Sequence, residues 1–424
     1  MNKGDIKDRE YMYRLITGQL FYDGHQQIAF SLAQLLGITT QVPPPSDKLF
    51  RLVNLAKQFS DDRESMDDSV QPLEPSVGLD MEYDSEILPT TPEPSQYETI
   101  YITSHKAPCR AAVFSPDGHL VATGSADCSI KILDVDKIIS RDGRDGPADG
   151  GPDGLNPVIR TLYDHMDEVT AVAFHPRDAL LLSGSNDCTL KLFDYSKNAV
   201  KRAIKTINEV ARINAVSFHP SGEYFLAAAD HEVVRLYNTD STQCFVCSSP
   251  ADHHIAPVFD VKYSDDARMF VSGGSDGDVK VWDGISNRCI QTFTRAHDGA
   301  AICSVQFTKN GKYVLSSGFD STIKLWELST NRCLIAYTGA GSTGHQTLKI
   351  QAGFNHNEDF VMFPDEKSGS LCSWDSRTSD RKRLGALGHT APCRVFVHSP
   401  TMPAFVTGSD DYRARFWYKN PSPS

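Results

Sequence analysis

The spacing of apolar positions changes character twice along the chain. Met12, Leu15, Ile16 and Leu20 keep helical spacing, Gly24 offers a stop, and Ile28, Ala29, Leu32, Leu35 and Leu36 resume the same spacing until Gly37. Pro43 to Pro45 then set off a third helix, which Ser46 or Asp47 can cap and on which Leu49, Leu52, Val53 and Ala56 form the apolar face. Between residues 60 and 96 apolar positions become scarce. From Tyr97 onward they return in short alternating runs bounded by polar turns, the pattern of β-strands. The fullest example is Gly273 to Asp283, GGSDGDVKVWD, where Ser275, Asp276 and Gly277 predict a tight turn and Val279, Val281 and Trp282 the strand that follows.

That stretch recurs. GSADCSIKILD (124–134), GSNDCTLKLFD (184–194), SGFDSTIKLWE (317–327) and GSDDYRARFWY (408–418) are near-copies, and ADHEVVRLYN (229–238) and KSGSLCSWD (367–375) are weaker ones. Their closing positions are Leu133, Phe193, Tyr237, Trp282, Trp326, Trp374 and Trp417, separated by 60, 44, 45, 44, 48 and 43 residues. A period in the forties is that of a four-stranded propeller blade, and seven copies predict an all-β, seven-bladed ring. The long first step holds RDGRDGPADGGPDG (141–154), a Gly/Asp/Pro-rich loop insertion.

These repeats resemble WD40 repeats over residues 97–418. A second spacing carries the resemblance: His254 precedes Ser272 by 18 residues, Ser272 precedes Asp276 by four, and Trp282 follows six later. The frame returns as His105, Thr123, Asp127; as His165, Ser183, Asp187; as His297, Ser316, Asp320, Trp326; and as His389, Thr407, Asp411, Trp417. The resemblance implies a hydrogen-bonded tetrad inside each such blade. Ser, His and Asp together also invite a nucleophilic reading, but an enzyme needs one set in a cleft, whereas a blade needs one per repeat. The third copy, with His231 where Asp is expected, and the sixth, which keeps His345 and Trp374 but offers Pro364 and Ser368, should be held by packing more than by a tetrad. In WD proteins the first strand typically completes the last blade, so Tyr97 to Thr103 is expected to pair beside the strand ending near Trp417 and leave no open edge.

Composition adds limits. The chain has 424 residues, 40% hydrophobic and 23% charged, with neither an 18-residue apolar run nor an apolar core near the N-terminus, so no membrane span or export signal is indicated. Ten dispersed cysteines read as thiols of a reducing compartment, and Cys244 and Cys247 stand as an incomplete metal or redox pair. Most of the net charge of −12 lies in residues 60–96, with eleven Asp or Glu against Arg63 alone. That balance argues against a strongly basic nucleic-acid surface. Residues 61–96 therefore read as an acidic flexible linker, in which Thr91 before Pro92 is a candidate phosphorylation site, and residues 419–424 as a tail. No catalytic set, cofactor site or metal site stands out.

The helical unit of residues 1–60 buries too little to be comfortable alone, and LITGQLFYDGHQQIAFSL (15–32) resembles a LisH-type helical hairpin whose usual role is homodimerisation. Leu15, Ile16, Leu20, Phe21, Ile28 and Leu32 are its candidate dimer face; a helical cap on the propeller would use the same residues. The order of parts, with SQYETIYITSHKAPCR, VIRTLYDHMDEVTAVAFHP, SNRCIQTFTRAHDGA, YTGAGSTGHQ and DDYRARFWY, is similar to the family of WD-repeat subunits of the cleavage stimulation factor. The resemblance implies a non-catalytic nuclear (nucleoplasmic) scaffold in 3′-end cleavage and polyadenylation of pre-mRNA. It would dock the HAT-repeat scaffold subunit and reach the RRM subunit and pre-mRNA indirectly. Arg413, Arg415, Trp417 and Tyr418 are the candidate scaffold contact. Two other readings stay open: a substrate-recruiting adaptor of a ubiquitin ligase, and a propeller that binds RNA directly, which would need an interleaved basic and aromatic patch.

Overall fold

The computed structural model describes residues 16–17, 19–20, 25–35, 79, 81, 91–141, 156–197, 201–340, 349–366, 368–382 and 385–419. The chain divides into two units, Met1–Pro75 and Ser76–Ser424. In the first, Gln26–Leu35 forms a helix. Ala29 and Ala33 are buried on it, Leu32 is half-buried, and Ile28 is 58% exposed. Ile16, Thr17, Gln19 and Leu20 are also helical, whereas Leu15, Phe21 and the expected third helix lie outside the described residues.

Alternating apolar runs in the second unit become seven four-stranded antiparallel sheets. Blade 1 is the meander Cys109–Phe114, Leu120–Ser125, Ser129–Asp134 and Val158–Tyr163. Blades 2 to 6 repeat it over residues 169–208, 213–246, 258–293, 302–337 and 353–386. Blade 7 takes three strands from Cys393–His398, Ala404–Ser409 and Arg413–Tyr418 and its fourth from Glu98–Ser104, with Thr99 opposite Trp417 and Thr103 opposite Ala414. The ring is thus closed as expected, by the first strand pairing with the last.

The second and third strands of a blade are covered on both faces by neighbouring blades, so Tyr313–Gly318 is buried throughout while the outer strand Cys244–Val246 is exposed throughout. Apolar clusters accordingly form between blades: Leu192 of blade 2 packs with Phe225 and Tyr237 of blade 3, and Leu325 of blade 5 with Phe363 and Trp374 of blade 6. The glycines of the GS and GG pairs permit this close approach. A Cβ on Gly184 would lie 2.3 Å from Ile213 Cγ2, one on Gly273 2.5 Å from Ile302 Cγ2, and one on Gly408 2.9 Å from Cys109 Sγ, where blade 7 meets blade 1. Six inner strands open with a register shift at the same place, for example between Val258 and Asp260.

Two local features depart from the sequence reading. Before the 141–154 insertion the chain winds into a helix, Val135–Arg141, and seats Val135 and Ile138 against Phe114, Val121 and Phe416; the rest of the insertion is outside the described residues. The acidic linker, expected to be free as far as residue 96, bonds to the propeller at Leu79, Met81 and Thr91. Leu79 is fully buried among Tyr313, Leu325, Tyr337 and Phe363. Its N–H donates to Glu358 Oε2 (2.8 Å) and its carbonyl accepts from Asn310 Nδ2 (2.7 Å), while Met81 N–H donates to the Tyr313 hydroxyl (3.2 Å). Average composition made this tract read as free, but one leucine in a preformed apolar slot is enough to hold it locally.

Candidate functional site

The recurring His, Ser or Thr, and Asp residues meet in five blades. In blade 4, His254 Nδ1 lies 2.9 Å from Asp276 Oδ2, its Nε2 lies 2.7 Å from Ser272 Oγ, and the Trp282 indole N–H donates to the same hydroxyl at 2.8 Å. Blade 5 repeats this with His297, Asp320, Ser316 and Trp326, and blade 7 with His389, Asp411, Thr407 and Trp417. Blade 2 has His165 on Asp187 and Ser183, closed by the Phe193 ring instead of an indole. In blade 1, His105 Nε2 meets Thr123 at 2.9 Å, but Nδ1 sits nearer Ser129 (3.2 Å) than Asp127 (3.5 Å).

The proton positions follow from donor inventory. A carboxylate only accepts, so Nδ1 carries the hydrogen, Nε2 accepts from the hydroxyl, and the hydroxyl accepts from the indole. Burial holds His165 and His389 below the usual imidazole range against the opposing pull of Asp187 and Asp411, which keeps both rings neutral at neutral pH. Each Asp also closes its own turn. Burial raises Asp187, but the hydrogen bonds it accepts from the Thr189 hydroxyl, the Met166 N–H and the imidazole outweigh that and lower it to about 2. The five imidazoles have side chains at most 1% exposed, and the hydroxyl residues are equally hidden. No substrate can reach them. All five copies play the same structural part, satisfying the polar groups of a strand–turn–strand unit.

A cation two residues before the closing position escaped the sequence reading although it recurs. Lys131, Lys191, Lys280 and Lys324 each donate to the carbonyl of a residue just before the tetrad histidine: Ser104, Asp164, His253 and Ala296. Arg415 is the blade 7 member of this series, donating to Gly388 O at 2.6 Å. In blade 3 the same position is Arg235, and there a polar set joins the packing that was expected in place of a tetrad. Glu209, at the histidine place, accepts from both the Arg235 guanidinium and the Tyr237 hydroxyl, with its carboxylate only 3% exposed. Tyr237 stacks on Phe225, with centroids 5.4 Å apart. Ala227 leaves no hydroxyl to bond, so an acid–base–phenol set replaces the tetrad. His231 takes no part in it; its Nδ1 accepts the Val233 N–H. In blade 6 the Trp374 indole donates to Thr338 O at 3.0 Å and packs in the apolar cluster, as a blade without a tetrad should; His345 lies outside the described residues.

The four candidate scaffold-contact residues differ in exposure. Arg413 is exposed, Arg415 is half-buried in its clamp, Trp417 is buried and stacked on Phe405, and Tyr418 is half-buried. All ten cysteines are free, with burial pushing Cys109 and Cys303 up to about 12, and Cys247 faces Asp252 rather than Cys244. Among the described residues no group of three or more His, Cys, Asp or Glu side chains is arranged to hold a metal ion.

Comparison with known proteins agrees with this geometry. Residues 4–61 match the family described as cleavage stimulation factor subunit 1, dimerisation domain. Residues 96–134, 156–194, 203–238, 245–283 and 287–327 match the WD domain, G-beta repeat; the sheets of blades 6 and 7 complete the ring beyond those matches. The chain is 34% identical to cleavage stimulation factor subunit 50 of Arabidopsis thaliana over 98% of its own length and 99% of the relative's. Similarity to COMPASS component SWD3 of Saccharomyces cerevisiae is 24% over 45% of this chain and 56% of that one. Pre-mRNA-processing factor 19 of Oryza sativa subsp. japonica is 26% identical over 43% of this chain and 31% of that one.

Proposed function

Because the chain belongs to the cleavage stimulation factor subunit 50 family, we propose that it is a non-catalytic adaptor subunit of a nuclear complex that carries out 3′-end cleavage and polyadenylation of pre-mRNA. The observation that carries this reading is the collinear match over 98% of the chain, which takes in the helical unit and the propeller together. The chemistry is in keeping with it, since the repeated Ser/His/Asp sets are consumed in holding blades. Residues 1–60 join two copies of the chain. Ile16, Leu20, Ile28 and Leu32, with Leu15 and Phe21, form the joining face; Ile28, more than half exposed on Gln26–Leu35, is the side chain with most to gain from a partner.

Residues 61–96 link this unit to the propeller of residues 97–418, which docks the HAT-repeat scaffold subunit and through it the RRM subunit and the RNA. Arg413 is the docking residue to test, because its head is free of the clamp that occupies Arg415. Co-expression with the HAT-repeat subunit is the experiment. Arg413→Glu should lower co-purification several-fold without shifting the melting transition. Undiminished capture would move the contact to another face, and failure of the wild-type chain to capture the subunit at all would overturn the adaptor reading.

A further inference from the structure

Thr91 precedes Pro92 in the acidic tract, yet it is not on display. Its side chain is seated on blade 6 and only 8% of the residue is exposed. The hydroxyl donates to Asp359 Oδ2 at 2.9 Å and accepts from Asn355 Nδ2 at 2.7 Å, and the Thr91 N–H reaches the same Asp359 oxygen at 3.3 Å. The seat is prebuilt. Asn355 is held through its side-chain oxygen by the Phe360 N–H, Asp359 through its other oxygen by Arg377 Nη1 at 3.2 Å, and both residues are buried. Leu79 forms a second attachment across blades 5 and 6.

We propose that Thr91 is a modification site for a proline-directed protein kinase, shielded while it is seated and unable to return to its seat once phosphorylated. Transfer moves the γ-phosphoryl group of a nucleoside triphosphate to Thr91 Oγ1; the new O–P bond replaces the O–H bond, and the proton and the nucleoside diphosphate leave. Three consequences follow from the seat. The hydroxyl can no longer donate to Asp359, the added dianion faces the Asp359 carboxylate, and a bulky phosphoryl group cannot occupy a site already closed around an oxygen. Arg377 is the neighbouring cation, but it already serves the far oxygen of Asp359. The lost donation, the facing carboxylate and the closed site together drive Thr91 from blade 6, while Leu79, bonded to different residues, stays.

The test uses the full chain, a recombinant proline-directed kinase and ATP, with a free peptide of residues 85–97 as the reference substrate. Seated Thr91 should be phosphorylated at least about 10-fold more slowly than the peptide, since only the open fraction reacts. After modification, hydrogen exchange at the Thr91 amide should accelerate by a similar factor of about 10 while the Leu79 amide keeps its protection. Equal rates for chain and peptide would show that Thr91 is not shielded. A peptide that is not phosphorylated would remove the kinase class, and retained protection at Thr91 in the phosphorylated chain would show that Arg377 accommodates the phosphate. Any of these overturns the proposal.

Discussion

Blades 3 and 4 are neighbours with one backbone and two chemistries. Blade 4 joins its turn to its strands through His254, Ser272 and Trp282 on the carboxylate of Asp276. Blade 3 places the carboxylate of Glu209 where that histidine would be and bonds it to a guanidinium and a phenol. What the ring requires at this place is a closed set of donors and acceptors, not a particular residue type. A blade fails when one member is removed and its partners stay buried and unpaired.

The sharpest break should come at Trp282, 1% exposed and stacked on Phe270. Trp282→Ala should cost about 3–5 kcal/mol by urea unfolding, from cavity and lost contact alone. Next comes Glu209→Ala, which leaves Arg235 without its partner acid; about 2–4 kcal/mol is expected, less than a fully buried pair because Arg235 retains some exposure. If that variant unfolds like the wild type, blade 3 is held by packing alone and the comparison loses its basis. Ser272→Ala strands both an indole N–H and an imidazole nitrogen at a cost of about 1–3 kcal/mol. The matching change in blade 3 has nothing to remove, because Ala227 is already there.

Acid should separate the blades by a smaller margin. Burial depresses His165 and His389, so the unfolded chain takes up protons at these positions before the folded one does. Their contribution to stability is complete above about pH 6.5 and declines as the pH falls below it. Asp187, lowered to about 2, adds a loss that begins below about pH 4. Blade 3 carries a depressed imidazole of its own, His219, so the reference is a His165→Gln, His389→Gln variant: hydrogen exchange at about pH 7.5 and about pH 5.5 should show blades 2 and 7 of the wild type losing protection a few-fold more than those of the variant. Equal losses would mean that the imidazoles do not govern the difference.

Much of this was legible in the sequence, because a repeated fold writes each constraint several times. The His-to-Ser and Ser-to-Asp spacings mark five His, Ser or Thr, and Asp sets, three of them completed to tetrads by Trp282, Trp326 and Trp417, and the resemblance to WD proteins places the run from Tyr97 to Thr103 at the closure. The signals that were missed occur singly or lack an obvious partner. Glu209 stands alone, and its role depends on Tyr237 and Arg235, 28 and 26 residues away. The recurrent Lys at 131, 191, 280 and 324 was visible, but what it clamps is a backbone carbonyl, which carries no residue code. Leu79 and Thr91 lie in a stretch whose average composition argues for freedom, and averages hide single anchors.

The adaptor account turns on the two units doing separate jobs, and one measurement addresses it directly. The intact protein and a version lacking residues 1–60 would be used as bait in nuclear extract, with partners identified by mass spectrometry and self-association read from a second, differently tagged copy. Recovery of the HAT-repeat and RRM subunits by both baits, with the second copy recovered only by the intact one, is the result predicted. Recovery of ubiquitin-ligase components in place of the processing subunits, or self-association that survives the loss of residues 1–60, would contradict it.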